Sequence, residues 1–206
     1  QSGSITVSGA DVNTTVNFDM VKRLTFMITD LVTGANLEGV TVSITGSKGD
    51  TATLTTSSTG VAQYMQAKIN STYSYTISKT NYVTQTGTTP TITDNTDIRK
   101  SLDPKARVTF TVTANTSSGA KLQGVAINCT ASGETAVNLT TDSNGLATAY
   151  FTRNKQWTIA ISKSGYDSST FNRTWTATTV SEPVTLTGIY SITVNTKRVG
   201  VNYSGV

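Results

Sequence analysis

The 206 residues contain no histidine, which removes imidazole as a base, a proton shuttle or a metal ligand before any motif is considered. Cys129 is the single cysteine, so no disulfide can close within this sequence and no thiolate metal cluster can form. Charge is scarce too: 16 basic and 12 acidic side chains leave a net +4, too weak and too dispersed to mark a nucleic-acid surface. No run reaches the roughly 18 apolar residues of a membrane helix, and no charged-then-apolar leader precedes the first strand, so membrane insertion is not expected. The sequence opens on Gln1 rather than Met, and the expectation is an exported protein or a segment of a longer one. With 16 Gly and only 3 Pro, collagen and disorder are excluded as well.

What is abundant is hydroxyl. Threonine occurs 43 times and serine 22 times, almost a third of the chain, and the branched Cβ of threonine favours strands over helices. An all-β protein is expected.

The chain repeats itself at about 84 residues. Arg23–Thr29 (RLTFMIT) matches Arg107–Thr113 (RVTFTVT), with Leu24, Phe26 and Ile28 on one face and Val108, Phe110 and Val112 on the other copy's. Gly34–Ile44 matches Gly119–Cys129 with one residue inserted before it. Leu54–Ala62 matches Leu139–Ala147, and Tyr73–Tyr82 matches Trp157–Tyr166. Within these blocks polarity alternates with period two, the mark of strands with one face on a core and one in water. Asn81 facing Gly165 is the exchange expected where the backbone needs a positive φ.

Two whole units are expected, a first domain over 22–106 and a second over 107–188. Residues 1–21 resemble the closing strands of a preceding unit or a donor strand. Residues 189–206 repeat the opening strand of a following one, with Tyr203, Gly205 and Val206 standing where Leu37, Gly39 and Val40 stand. Either these residues are a window on a longer tandem array, or the end strands pair with a neighbouring subunit. The alternating positions Ile5, Val7, Val16, Phe18 and Met20 at one end, and Tyr190, Ile192, Val194, Tyr203 and Val206 at the other, are the expected contacts to the next unit.

The order of Leu-x-Gly-Val-x-Val-x-Ile (37–44), Thr-Thr-x-x-x-Gly-Val-Ala (55–62) and Tyr-x-Ile-Ser-Lys-x-Asn-Tyr (75–82) resembles the prealbumin-like, carboxypeptidase regulatory-like branch of the immunoglobulin-like sandwiches. The resemblance covers both whole units and implies spacers or stalks of surface proteins, extracellular appendages or phage fibres. A related family seals its domains with a lysine–asparagine or lysine–aspartate isopeptide bond, assisted by a buried acid. Lys22 shares the inward parity of Leu24, but residues 51–93 contain no Asp or Glu, and Ala106 replaces Lys22 in the second copy.

Candidate sites are few. Cys129 shares its face with Val125 and Ile127 and reads as a buried thiol; Trp157, in line with Ile159 and Ile161, reads as core. Trp175 has Arg173 and Ala177 as its period-two neighbours and is the one aromatic residue singled out as a candidate exposed contact, for a glycan. Asp142-Ser143-Asn144-Gly145 begins like a calcium loop, but its counterpart Ser57-Ser58-Thr59-Gly60 has no carboxylate, so both read as turns. Asp94–Asp97 reads likewise. Basic residues Lys22, Arg23, Arg99, Lys100, Lys105 and Arg107 fall at the domain junctions and read as gatekeepers against edge pairing. Seven Asn-x-Ser/Thr sequons, at Asn13, Asn70, Asn115, Asn128, Asn138, Asn172 and Asn202, are candidate N-glycosylation sites.

The expectation is therefore a structural subunit or stalk segment of an extracellular, cell-surface fibre, without enzymatic activity, metal or cofactor. Its partner would be itself, head to tail, or adjacent units of its own chain. The alternatives are a virion fibre or decoration protein, and a glycan-binding surface module.

Overall fold

The computed structural model describes residues 20–190. They form fourteen strands and fall into two compact units that divide between Pro104 and Lys105. The strands of the first are β1 (Val21–Asp30), β2 (Thr41–Gly46), β3 (Thr51–Thr55), β4 (Val61–Lys68), β5 (Tyr73–Ser78), β6 (Gln85–Thr88) and β7 (Thr96–Leu102). Those of the second are β8 (Ala106–Ala114), β9 (Ala126–Thr130), β10 (Val137–Thr140), β11 (Leu146–Phe151), β12 (Gln156–Ser162), β13 (Ser169–Thr174) and β14 (Thr179–Leu186).

Both units have one topology. A three-stranded sheet, β4-β1-β7 in the first and β11-β8-β14 in the second, accompanies a four-stranded sheet, β3-β2-β5-β6 or β10-β9-β12-β13. This is a pair of immunoglobulin-like β-sandwiches. Neighbouring strands run antiparallel except at one place in each unit, where the first and last strands lie side by side in parallel. The second domain begins one strand residue earlier than the sequence pattern placed it. Ala106, assigned to 22–106, is fully buried in the core of the second unit, opposite Phe151.

The cores follow the alternation. Leu24, Phe26 and Ile28 from β1 meet Val42 and Ile44 from β2 and Tyr73, Tyr75 and Ile77 from β5. In the second unit Val108, Phe110 and Val112 meet Ile127, Cys129, Trp157, Ile159 and Ile161. A ring cluster unique to the second core joins Phe151 to Trp157 at 4.9 Å and to Trp175 at 4.7 Å between centroids. Such pairs add about 0.5–1.5 kcal/mol each beyond area burial.

Two devices recur at matching positions. Buried Thr56 accepts from the Val40 amide and donates to the Leu37 carbonyl, and Thr141 does the same with Val125 and Leu122. Gly60 and Gly145, at φ +73° and +71°, lie so close to the chain that a Cβ would stand 2.5 Å from the carbonyl oxygens of Ile28 and Val112. The turn pair Asn81 and Gly165 has positive φ in both units, 65° and 82°.

Candidate functional site

Of the expected end-strand contacts, Ile5, Val7, Val16, Phe18, Ile192, Val194, Tyr203 and Val206 lie outside the described residues. The two that are described, Met20 and Tyr190, are 63% and 81% exposed. Apolar side chains are therefore uncovered at both limits of the described chain.

The path of the chain through each unit follows from the parallel pairing. Seven register pairs run from Leu24↔Thr96 to Asp30↔Leu102, and eight from Thr179↔Arg107 to Leu186↔Ala114. Adjacent parallel strands point the same way, so the start of the first and the end of the last lie at opposite poles of the unit. The departing segments are pinned alike. Leu31 donates to the Leu102 carbonyl, Val83 to that of Asp103, and Tyr82 bridges to Pro104. In the second unit Asn115 donates to Leu186, Asp167 to Thr187, and Tyr166 bridges to Gly188. The chain leaves the second unit as it leaves the first.

Sheet edges are guarded on one side. Edge strand β7 carries Asp97, Arg99 and Lys100; edge strand β14 carries Pro183, which has no amide hydrogen to offer. The opposite edges are bare: β4 has only Lys68 as a charge and β11 has none, and neither contains proline. Met65 is 61% exposed on β4, beside a register irregularity in the β1–β4 ladder.

Trp175, the candidate exposed glycan contact, is buried. The residue is 4% exposed, its ring lies against Phe110 and Phe151, and its Nε1 donates to Glu182 Oε2 at 3.3 Å. Arg173 holds the other oxygen of this buried carboxylate at 2.9 Å. Trp175 lies beyond the end of β13, so strand parity does not apply to it. Its backbone carbonyl accepts from Asn154 as that of buried Ile92 accepts from Asn70, which makes the two residues equivalent plugs. An alignment with one gap after Tyr166 would have placed Trp175 opposite Ile92.

Lys22 keeps its inward parity, opposite buried Ala67, yet stands at the rim, where its Nζ meets Asp94 Oδ1 at 3.2 Å. The Asp94 side chain is 79% exposed, so the contact is a solvated ion pair. The Asn95 amide first, and then the Lys22 ammonium, hold the Asp94 carboxyl below its ordinary pKa.

Cys129 is fully buried, and desolvation pushes its thiol up to about 12. Asp142 caps its own turn, its Oδ1 accepting from the amides of Asn144 and Leu146 at 2.9 Å each. Among the described residues no three His, Cys, Asp or Glu side chains are placed to hold a metal ion. One network escaped the sequence pattern. Asp50 Oδ2 accepts from the hydroxyls of Tyr73 and Tyr64 at 2.5 and 3.2 Å, while Tyr73 accepts from the Lys68 amide. Burial first, and then the Asp50 carboxylate, raise the pKa of Tyr73. The second unit puts Trp157 there, its Nε1 donating to Thr152, so the pair reads as aromatic and the network is invisible in the repeat.

The five described sequon asparagines, Asn70, Asn115, Asn128, Asn138 and Asn172, are all exposed.

No family model and no curated protein matches the chain. Solved structures of similar fold include the Bacillus anthracis TIE protein, 17% identical over 82% of this chain and 34% of that one, with a TM-score of 0.40. The minor pilin GBS52 of Streptococcus agalactiae is 13% identical over 85% of this chain and 100% of its own, with a TM-score of 0.46. A double mutant of the shaft pilin SpaA of Lactobacillus rhamnosus GG is 13% identical over the same shares, with a TM-score of 0.47. The chain spans about a third of the length of the TIE protein. No helix among the described residues is long and apolar enough to cross a membrane.

Proposed function

We propose that the chain is a structural subunit or stalk segment of an extracellular fibre at a cell surface, with no enzymatic role, and that it associates head to tail through its end strands. The observation that carries this reading is the parallel pairing of first and last strands in both units. A unit that receives the chain at one pole and releases it at the other adds length when repeated. The identical pinning of the two departing segments supports a further unit after the second, supplied by the same chain or by another copy.

The end segments 5–20 and 190–206 are the proposed association strands, and the edges at β4 and β11 are where an added strand meets no proline and, apart from Lys68 at the end of β4, no charge. The pilin likeness of GBS52 and SpaA is compatible with this reading and does not carry it.

The test is electron microscopy of the undissociated native material beside the intact mass of its subunit. Thin filaments are expected, and deletion of 1–19 or 191–206 should leave dispersed subunits that still fold. Compact particles with no filament at any concentration, from a chain with both ends intact, would overturn the proposal.

A further inference from the structure

We infer that the outward face of the second unit's four-stranded sheet is an N-glycosylation surface, bearing sugar on Asn172 and on one of the two residues Asn128 and Asn138.

In an extended strand, residues i and i+2 project from the same face about 6.7 Å apart. A strand sequon therefore presents its asparagine and its hydroxyl side by side. Three sequons do so on this one sheet: Asn128 with Thr130 on β9, Asn138 with Thr140 on β10, and Asn172 with Thr174 on β13. All six side chains are exposed. The remaining outward positions of the four strands, Ala126, Gln156, Thr158, Ala160, Ser162 and Thr170, bear no charge. A shallow trough of about 430 Å³ runs beside Asn128 and Asn138 over the small side chains of Ala126 and Ala160, so no bulky neighbour overhangs the two amides.

The first unit differs at the same places. Ser43, Thr53 and Thr88 occupy the register positions of Asn128, Asn138 and Asn172, and every outward position of β3, β2, β5 and β6 is serine or threonine. The asparagines are thus confined to one of two otherwise equivalent faces, each followed at i+2 by a threonine.

Register also limits occupancy. Asn128 and Asn138 are directly paired across neighbouring strands, with an Asn128 Nδ2 to Asn138 Oδ1 hydrogen bond. Paired Cβ atoms stand about 5 Å apart, roughly the width of one pyranose, so the pair has room for a single glycan. Asn172 lies beyond β12 from that pair and uses its Oδ1 to accept from Thr158, a bond that leaves its Nδ2 unconsumed.

The modification is a glycosyl transfer from a polyprenyl-diphosphate-linked oligosaccharide, catalysed by a transferase that reads the hydroxyl at i+2. The asparagine Nδ2 bonds to C1 of the first sugar as the C1–O bond to the diphosphate breaks. The amide loses one proton, polyprenyl diphosphate leaves, and nothing is oxidised or reduced. A glycosylated face stays in solvent, which leaves the three-stranded sheets and the chain ends for association.

The test is glycopeptide mass spectrometry of the protein from its native source. Asn128 and Asn138 share one tryptic peptide, Leu122–Arg153, which contains no internal lysine or arginine. That peptide should carry one glycan and never two. Asn128→Gln or Asn138→Gln alone should leave one glycan, and the double variant none. At Asn172 the adduct should vanish in Asn172→Gln and Thr174→Ala and persist in Thr174→Ser, with circular dichroism showing each variant folded. Unmodified asparagine at all three positions, or two glycans on Leu122–Arg153, would overturn the inference. Filaments without sugar defeat this inference alone, and a glycosylated protein that forms no filament defeats only the fibre proposal.

Discussion

Cys129 fills the place that Ile44 fills in the first unit, and its thiol is fully buried with its pKa pushed up to about 12 by desolvation. Only the thiolate reacts at a useful rate, so the folded protein should resist iodoacetamide at pH 8 for hours and react within minutes once unfolded by urea. Rapid labelling of the native chain would contradict the burial. Asp30 makes a different prediction. Burial pushes its carboxyl up, but the Thr33 amide, the Tyr82 hydroxyl and the Val32 amide outweigh this and hold it below its ordinary value. A folded pKa below the unfolded value of about 3.9 stabilises the fold above that pH, and the stabilisation is lost as pH falls through the folded value. Asp30→Asn should therefore lower the stability of the first unit at pH 7 by about 1–2 kcal/mol, read as a lower urea midpoint, and the gap to the parent should narrow as the pH falls below the unfolded value. A gap independent of pH would mean that shape, not charge, is what Asp30 supplies.

Residues on strands were legible where those off strands were not. Cys129 and Trp157 could be placed because period two assigns a face to each strand position, and both are core. Trp175 could not, because in a connection a side chain points where the local turn sends it, and its neighbours' polarity carries no information. Asp50 was missed because its partners Tyr64 and Tyr73 are 14 and 23 residues away and are joined only by the fold.

At the scale of the element, the turn into β4 and its copy before β11 fix how each sandwich closes. Gly145 combines φ +71° with a carbonyl oxygen 2.5 Å from where a Cβ would stand, and Val112 donates its amide to the Gly145 carbonyl from the first strand of that unit. An added methyl meets backbone, which cannot rotate away as a side chain could. Gly145→Ala should destabilise the second unit by about 2–4 kcal/mol, from an αL penalty of about 1 and overpacking of about 1–3. Both tryptophans belong to that unit, so the loss is read directly as an earlier midpoint in tryptophan emission. Gly119→Ala is the control: its φ is also positive at 56°, yet nothing stands within 4 Å, so only the conformational part should appear. Equal losses in the two variants would show that the close approach to Val112 costs nothing.

At the scale of the whole chain, the repeat and the succession of strands along the sequence were legible because the same alternation occurs twice. The parallel closure was not, since hydrophobic period reports which face a strand buries and says nothing of its neighbour. That closure has a mechanical consequence. When the two termini of a unit are pulled apart, β1 and β7 are drawn in opposite directions along their common ladder, as are β8 and β14. All seven or eight register pairs are then loaded together in shear instead of being opened one at a time from an end. Pulled end to end by force spectroscopy, the chain should yield two distinct events, each releasing the contour of roughly 80 residues at about 3.5 Å per residue, near 28 nm. Each event should need more force than the same unit pulled through a cysteine pair placed to unzip its ladder, such as Leu31→Cys with Asp103→Cys, in a Cys129→Ala background. Those positions lie at the same pole, where Leu31 donates to the Leu102 carbonyl. The contrast isolates direction of load, because sequence, core and stability are nearly the same in both pulls. Equal forces in the two directions would mean that the parallel ladder bears no special share of tension, and would remove the mechanical reason for closing each unit this way.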